Sequence, residues 1–445
     1  MTPDFRQLIA HCEQTGTLLH IKKQVDCRYE AAALMKETKG KTPMLFERVA
    51  GYSGPMVTGL GGTRALLAQS MGVTEHELVS HLSGALVHPI PVTAVNSAPV
   101  HENVVRAPFD IHKYIPILTY NELDNAPYTV SGMMVARSIS GERLYTSIRR
   151  MQYLGGSRMT ILITSAQMKE QFRYYEQAKK PMDIAIMFGV TPAVVLASQI
   201  STQLFNVNKL DVAGALLGRT LPVVRCKTVD VDVLADAEFV LEGQVKPWVK
   251  ESEGPFGEMG GYYGTVSPLP VVEFSALTFR NSPIVQAIYP SGYEEKLPMA
   301  INREVALLST IRQTVPGVRR VHITPGGIGR LHAVVQIHKT GVADGRQAAL
   351  AAFASDKDLK HVVVVDDDID IFDMEQVEWA IATRMQANTD VFIVSGVNGS
   401  PLEASHLISG TSAKMGIDAT CPLNDARFTR THIPGEEDIR LEDYL

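Results

Sequence analysis

The sequence is poor in cysteine, has no long apolar run and carries no excess of basic charge, and each shortage excludes a class of protein. Its four cysteines, Cys12, Cys27, Cys226 and Cys421, are far apart and form no C-x-x-C pair. This spacing excludes a zinc ribbon or a dithiol motif within a short segment and is typical of a reduced, cytoplasmic protein. The most apolar segment, residues 184–197, is interrupted by glycine and proline and is too short to span a membrane.

The N-terminus and the charge balance exclude further classes. Residues 1–6 lack a basic region followed by an apolar stretch, so no secretory signal is visible. The 42 basic and 48 acidic residues give a formal net charge of -6, which argues against nucleic acid as the main partner. With 445 residues, 45% of them hydrophobic and 20% charged, the chain is long enough for two or three globular domains.

Several motifs of catalysis and metal binding are also absent. The 13 histidines form no H-E-x-x-H motif, and none lies between His112 and His322. No G-x-S-x-G nucleophile elbow is present, so the sequence gives no support to a hydrolase. Two glycine-rich turns, at residues 59–64 and 325–330, match neither the dinucleotide motif nor the P-loop. We interpret them as ordinary turns, although the arginine that ends each one leaves weak anion binding open.

A row of aspartates, residues 366–368 with Asp370, follows an all-valine segment. Carboxylates at the end of a parallel strand hold Mg²⁺ in some proteins and cap the next helix in others. A calcium loop is excluded, because Ile371 and Val377 stand where that loop needs glycine and glutamate. Helix capping or a solvated turn is therefore the preferred interpretation.

Hydrophobic periodicity predicts an α/β fold with three regions. Residues 1–110 carry α/β signals and a proline-rich connector. Residues 111–297 consist mainly of short strands separated by glycine turns, which predicts a split β-barrel-like domain. Residues 298–445 alternate strand and helix patterns, which predicts a mostly parallel sheet in a C-terminal α/β domain.

Individual elements are predicted from the same patterns. The first helix is capped at Thr2 or Asp4 and ends at Gly16. The other predicted elements are a hairpin with strands 144–151 and 159–163, a β run at 229–240, and helices at 169–178, 299–311, 345–353 and 374–385. Strands are also predicted at 333–337, 362–365 and 391–394.

The most informative segment is Glu253-Gly254-Pro255-Phe256-Gly257-Glu258. Its glycines and proline predict a tight loop that aims two carboxylates into one pocket, where crowding and a nearby cation set their pKa values apart. Arg149 or Arg150, in an earlier strand, is the candidate cation, since alternation sends only one of them inward. On composition alone, a solvated acidic turn remains the alternative.

This loop and other segments closely resemble the UbiD family of decarboxylases. The matching segments run in order along nearly the whole chain. They are Ser147-Ile148-Arg149-Arg150, residues 237–243, the loop with the following Gly261-Tyr262-Tyr263, and residues 364–368, 382–385 and 412–420.

The resemblance implies a flavin-binding central domain and a reversible, non-oxidative decarboxylase of an aromatic, heteroaromatic or α,β-unsaturated acid. It implies prenylated FMN as cofactor, because loss of CO₂ from an sp² carbon needs an electron sink that no side chain provides. By analogy, Arg150 pairs with Glu253 and holds the substrate carboxylate, and Glu258 delivers the proton that replaces CO₂. The resemblance places Ser147, Ile148, Gln167 and Lys414 at the cofactor, and Lys209 is a further candidate cofactor residue although it departs from the family pattern.

The sequence departs from the family where a divalent metal usually holds the flavin phosphate. Tyr145, Met168 and Lys209 stand where the resemblance places asparagine, histidine and glutamate ligands, so we assign no metal ligands. Two explanations stay open. Either Lys209 replaces the charge of the metal, or the chain is a cofactor-free relative, such as a binding protein or a subunit of a larger carboxylase. A third reading, redox chemistry with ordinary FMN, is also open.

The resemblance further implies a flavin prenyltransferase as cofactor supplier and a homodimer or larger homo-oligomer. A carboxylase partner subunit is the expectation under the second explanation. We expect no nucleic acid partner and no membrane span.

Overall fold

The structure is a computed structural model that describes residues 2–201, 205–406, 410–435 and 438–445. The chain divides into two compact units. The first comprises residues 1–306, 323–330 and 401–405, and the second comprises residues 307–322, 331–400 and 406–445. No helix in the described ranges combines the length and apolar character that crossing a membrane requires.

The helices and strands up to the end of the central region alternate along the chain. In order, they are α1 (Phe5–Gln14), β1 (Leu19–Ile21), α2 (Glu30–Glu37), β2 (Met44–Phe46), β3 (Met56–Thr58), α3 (Arg64–Ser70), α4 (Leu78–Val87), β4 (Thr93–Ala94), β5 (Asn103–Arg106), β6 (Tyr128–Arg137), β7 (Leu144–Gly155), β8 (Arg158–Thr160), α5 (Ala166–Gln177), β9 (Met182–Phe188), α6 (Pro192–Ser198), α7 (Lys209–Leu216), β10 (Pro222–Arg225), β11 (Asp232–Leu234), β12 (Phe239–Glu253), β13 (Ser267–Phe279) and β14 (Val285–Gln286).

The remaining elements follow in the same order. They are α8 (Tyr293–Thr314), β15 (Val318–Ile323), β16 (His332–Ile337), α9 (Asp344–Ser355), β17 (His361–Asp366), α10 (Met374–Arg384), α11 (Ala387–Asp390), β18 (Val391–Asn398) and β19 (Thr411–Ala419).

A closed antiparallel barrel of six strands forms the centre of the first unit. Its strands follow the order β12-β9-β6-β7-β8-β13, and β13 pairs with β12 to close the ring. Alternate residues of β6 pack into two different cores, as the two-residue period of a strand requires. Met133 and Val135 join a core with residues of α6 and α7, whereas Met134 and Ala136 join the other core. The barrel therefore confirms the β-rich central region and the predicted fold class.

The second unit contains a five-stranded sheet in the order β15-β16-β17-β19-β18. Strands β16, β17 and β19 are parallel, whereas β18 runs antiparallel to β19. The four valines of β17 are buried, as expected for a strand covered on both faces. The mostly parallel sheet confirms the α/β prediction for this part of the chain.

Most predicted elements are confirmed, with shifts at their ends. Helix α1 begins after Asp4, whose side chain accepts a hydrogen bond from Gln7 N, and it buries Phe5, Leu8, Ile9 and Cys12 as its periodicity predicts. Strands β7 and β8 form the predicted hairpin, although β8 ends at Thr160. The β run at 229–240 is wrong as one element, because β11 ends at Leu234 and β12 begins only at Phe239.

Helix α8 also differs from its prediction. It begins at Tyr293 and contains Pro298, whereas the sequence pattern predicts a helix that starts only after this proline. Pro298 is the sixth residue of α8, beyond the first turn, so the helix does without one i to i−4 hydrogen bond at this position.

Candidate active site

The loop between β12 and β13, residues 254–266, carries the predicted acidic motif, and we call it the acidic loop. Gly254 has a positive φ of 95°, which favours glycine over residues with a side chain. Its amide donates to both Tyr128 Oη and Gln152 Oε1 at 3.1 Å. Gly257 N donates to Asp124 Oδ1 at 2.9 Å. The loop is thus fixed to β6 and β7 before Phe256, and to the segment preceding β6 after Phe256.

Glu258 is held in place by its own backbone contacts. Its amide donates to Tyr262 O at 2.8 Å, and Ser291 Oγ donates to its carbonyl at 3.0 Å. Gly264 passes so close that a Cβ atom there would lie 2.6 Å from Glu258 Oε1. The carboxylate is therefore packed against bare backbone.

Arg150, on β7, bridges the two glutamates of the motif. Its Nη1 donates to Glu258 Oε1 at 2.5 Å, and its Nη2 donates to Glu253 Oε2 at 3.0 Å. A further ionic contact joins its Nε to Glu253 Oε1 at 2.9 Å. The guanidinium also lies 4.9 Å from the centroid of the Phe256 ring, within the range of a cation–π contact. The structure therefore brings Arg150, Glu253 and Glu258 together.

The two glutamates differ in their surroundings. The side chain of Glu253 is 1% exposed, whereas that of Glu258 is 28% exposed. Burial raises the pKa of Glu253, and the Glu258 carboxylate adds to the rise, although Arg150 opposes both effects. Burial by itself would lower the pKa of Arg150, but the carboxylates of Glu258 and Glu253 outweigh it and raise that pKa. A buried carboxylate and a more accessible one thus share one cation.

Arg149, the preceding residue, has different partners. It is 5% exposed, and its Nη1 donates to Thr164 Oγ1 at 3.2 Å. Its Nε and Nη2 have no hydrogen-bond partner among the described residues. Burial lowers the pKa of Arg149 to about 10.

Lys209, the first residue of α7, lies close enough to Arg149 for their charges to interact. Its Nζ donates to Ser198 O at 2.6 Å. Burial, with a smaller contribution from the Arg149 charge, lowers the pKa of Lys209 to about 7. Within the described ranges, neither cation forms an ion pair with a carboxylate. We call Arg149 and Lys209 the cation pair.

Sequence reasoning named Lys209 but missed Arg149 as its neighbour. One feature of the sequence indicated that Arg149 has a separate environment. Successive residues of a strand point to opposite faces, so Arg149 and Arg150 had to lie in different surroundings. The distance of 60 positions between Arg149 and Lys209 gave no sign that they meet.

The positions expected for a metal do not fit a divalent cation. Met168 is buried and offers only a thioether, and Tyr145 packs against the barrel core. An ammonium group such as that of Lys209 has no lone pair to donate. No group of three or more histidine, cysteine, aspartate or glutamate side chains that suits a metal exists in the described part of the chain.

The other predicted cofactor residues occupy several elements. Ser147 and Ile148 lie on β7 and Gln167 on α5, and all three are partly exposed. Lys414 belongs to the second unit, where its Nζ donates to Lys357 O at 2.9 Å. Their roles toward a flavin remain predictions.

The glycine-rich turn at residues 59–64 and the aspartate row have structural partners. The carboxylate of Glu294 accepts hydrogen bonds from Gly59 N at 2.6 Å and Gly61 N at 3.3 Å, so this turn binds an anion of the protein itself. Arg384 pairs with Asp366 at 2.9 Å and with Asp368 at 2.6 Å.

Family models match three consecutive segments of the chain. The N-terminal, Rift-related and C-terminal domain models of 3-octaprenyl-4-hydroxybenzoate carboxy-lyase match residues 9–86, 92–293 and 296–419. The chain belongs to the UbiD family.

Curated relatives of this UbiD-family chain are named decarboxylases. Anhydromevalonate phosphate decarboxylase of Methanothermobacter thermautotrophicus is 34% identical over 93% of this chain and 96% of that protein. Gallate decarboxylase of Lactiplantibacillus plantarum is 32% identical over 88% of this chain and 86% of that protein. The family is thus one of carboxy-lyases.

Solved structures agree with this assignment. The UbiD-class enzyme HmfF from Pelotomaculum thermopropionicum, in complex with FMN, is 45% identical, with a TM-score of 0.96 and 100% coverage of both chains. An evolved dimeric form of HmfF in complex with prFMN is 44% identical, with a TM-score of 0.91, over 99% of this chain and 100% of that chain.

Proposed function

We propose that this UbiD-family chain is a non-oxidative, reversible decarboxylase that acts on an aromatic, heteroaromatic or α,β-unsaturated carboxylic acid with prenylated FMN. The observation that carries the proposal is the bridge that Arg150 makes between a buried and a more accessible glutamate. A structural ion pair needs one carboxylate. A second carboxylate held on the same guanidinium, on a loop of fixed geometry, is positioned to take up a proton and deliver it.

The chemistry divides between cofactor and protein. When bound, prenylated FMN supplies the electron sink for the negative charge that remains on carbon as the bond to CO₂ breaks. Arg150 binds the substrate carboxylate and orients it, while Glu253 fixes the plane of the guanidinium. Glu258 takes up a proton from solvent, which its 28% exposure permits, transfers this proton to the carbon that lost CO₂ and returns to the carboxylate form.

The proposed cofactor site in the first unit consists of Ser147, Ile148, Gln167 and Lys209. Their assignment rests on the resemblance to the family. Support comes from the FMN and prFMN complexes of HmfF, which has nearly half of its residues in common with this chain.

The first experiment tests the cofactor and the reaction together. The protein is co-expressed with a flavin prenyltransferase and studied by UV–visible spectroscopy and mass spectrometry, and CO₂ release from aromatic and unsaturated acids is then measured. Bound prenylated FMN with turnover of one acid is the expected result. If the protein remains empty in a host that loads a control family member, the proposal fails, and the alternative of a cofactor-free subunit or binding protein takes its place.

The proton-transfer role predicts the behaviour of Glu258→Gln. This variant keeps the shape of the side chain but lacks the proton, so we expect turnover to fall by about 10²- to 10⁴-fold with flavin content unchanged. Glu251→Gln is the matched control, since Glu251 lies on β12, is 39% exposed and pairs with Arg158. Full turnover in Glu258→Gln would refute the role of Glu258 and leave the cofactor assignment standing.

A further inference from the structure

The cation pair, Arg149 and Lys209, has no described carboxylate to balance it. Arg149 is 5% exposed and remains charged, because a guanidinium does not lose its proton under ordinary conditions. A buried charge without a partner costs several kcal/mol, and a second positive charge nearby adds to the cost. Such an arrangement persists only when it serves a ligand or is offset elsewhere.

The unpartnered atoms of Arg149 have a specific geometry. Nη1 is used by Thr164, so Nε and Nη2 remain without a partner in the described part of the chain. These two nitrogens donate along the same edge of the planar guanidinium, which is the edge that binds two oxygens of one phosphate or carboxylate. The unpartnered donors are therefore a buried fork with the geometry that binds an oxyanion.

Lys209 is placed where an anion is favoured and a cation is not. It is the first residue of α7, a helix of eight residues, and the N-terminus of a helix carries partial positive charge. A lysine at this position, with a carbonyl as its only described hydrogen-bond acceptor, adds charge of the unfavourable sign. Lys209 keeps part of its surface exposed, whereas Arg149 is buried.

We infer that the cation pair is a phosphate site, in which Arg149 and Lys209 hold the phosphate of the flavin mononucleotide directly, without a divalent metal. This inference rests on the proposed function for the identity of the ligand. The fork of Arg149 binds two phosphate oxygens, and the Lys209 ammonium binds as a point charge. The poor fit of Tyr145, Met168 and Lys209 to a divalent cation is then expected, because these side chains no longer need to bind one.

The test compares two flavins that differ only in the phosphate. FMN and riboflavin are titrated into flavin-free, full-length protein, and binding is followed by quenching of flavin fluorescence. We expect the wild type to bind FMN far more tightly than riboflavin. Lys209→Met and Arg149→Met are each expected to weaken FMN binding by about 10- to 100-fold, the range for a hydrogen bond to a charged group, and to change riboflavin binding by less than about threefold.

Two further variants serve as controls. Arg158→Met removes an arginine of the same barrel whose partner is Glu251, and it should leave the preference for FMN unchanged. Lys209→Arg keeps the charge and should keep the preference. If Lys209→Arg behaves like Lys209→Met, the cation pair has only a structural role and the inference is wrong. The same conclusion follows if Lys209→Met and Arg149→Met weaken the binding of FMN and the binding of riboflavin equally.

Failure of the proposed function would look different. If wild-type protein binds neither flavin, we would measure thermal stabilisation by inorganic phosphate. Stabilisation that disappears in Lys209→Met and Arg149→Met would retain the phosphate site and reject the flavin as its ligand. No stabilisation of the wild type by phosphate would overturn the inference itself.

Discussion

At the scale of single residues, the site depends on how one guanidinium divides its donors between two carboxylates. Glu253 is almost completely buried, so its charge depends on Arg150 for compensation. Glu258 has access to solvent and to the same cation. The two side chains are chemically identical, and in the proposed mechanism their different surroundings give them separate tasks, one structural and one reactive.

Removal of the Arg150 guanidinium should therefore destabilise the protein, because it leaves the buried carboxylate of Glu253 without its partner. We expect Arg150→Met to lower the free energy of unfolding by about 3–5 kcal/mol, because it leaves a buried carboxylate without its partner. Adding Glu253→Gln to Arg150→Met should restore part of this loss, since an uncharged amide is cheaper to bury. Urea unfolding of the two single variants and the double variant measures the effect. Strictly additive losses would contradict the coupling.

Lys209 provides a prediction about pH. In flavin-free protein the pKa of Lys209 is about 7, below its ordinary value of 10.5, so the folded state holds fewer protons than the unfolded state between these pH values. The contribution of Lys209 to stability therefore rises with pH across this window, and its cost is fully present at and below pH 7. At about 1.4 kcal/mol per pKa unit, Lys209→Met should stabilise flavin-free protein by a few kcal/mol at pH 7 and by much less at pH 10.

Urea midpoints at pH 7 and pH 10 check this prediction. Lys180→Met supplies the control, because Lys180 is exposed and its substitution removes an ammonium that is not buried. A difference between wild type and Lys209→Met that does not depend on pH would show that the ammonium is not destabilised in the folded protein.

At the scale of elements, the acidic loop positions Glu258 through close contact with backbone. Gly264→Ala places a Cβ atom 2.6 Å from Glu258 Oε1 and 3.2 Å from its Cγ, so the carboxylate has to move away from Arg150. We expect turnover to fall by about tenfold or more, with little change in thermal stability, because the clash falls on a side chain with 28% exposure.

The control for this loop variant is Gly326→Ala, since Gly326 has nothing within 4 Å of its Cβ position and no positive φ. Turnover of Gly326→Ala should equal that of the wild type. Normal turnover in Gly264→Ala would mean that the exact position of Glu258 does not limit the reaction.

Elements with strong local patterns could be predicted from the sequence. Helix α1 was predicted with its cap at Thr2 or Asp4, of which the structure has Asp4, and the valines of β17 were predicted to be buried on both faces. These features are predictable because capping and periodicity are encoded within a few residues. The break between β11 and β12 was missed because the alternation continues across it, and only pairing with β9 and β13 fixes where β12 begins.

The residues of the candidate site also separate into those that could be predicted from the sequence and those that could not. Glu253 and Glu258 are five positions apart in the sequence, so their proximity followed from the tight turn between them. Arg150 joined them through the resemblance to the family, and the structure then showed which of the two arginines faces the glutamates. The cation pair could not be foreseen, because it requires the packing of α7 near β7, and no local pattern specifies this contact.

At the scale of the whole molecule, the chain combines a net charge of -6 with two positive charges inside its first unit that no described carboxylate compensates. The overall charge gives no indication of an anionic ligand, whereas the buried pair does. Binding of a ligand to the folded state stabilises that state in proportion to its affinity and concentration. The flavin is therefore expected to stabilise the first unit by neutralising the charges that weaken it when empty.

The same reasoning predicts that flavin retention does not depend on a divalent metal. Loaded protein dialysed against EDTA should keep its ratio of flavin to protein absorbance, because no metal-binding group is found in the ranges that the structure describes and the cation pair supplies the positive charge. The Lys209→Met variant lacks part of the phosphate site. During dialysis it should therefore lose flavin to the same extent with and without EDTA. Loss of flavin from wild-type protein in EDTA, with recovery on adding Mn²⁺, would show that a metal supports the phosphate and that the cation pair alone does not suffice. Retention in EDTA together with loss in Lys209→Met is the pair of results that separates a lysine-held phosphate from a metal-held one.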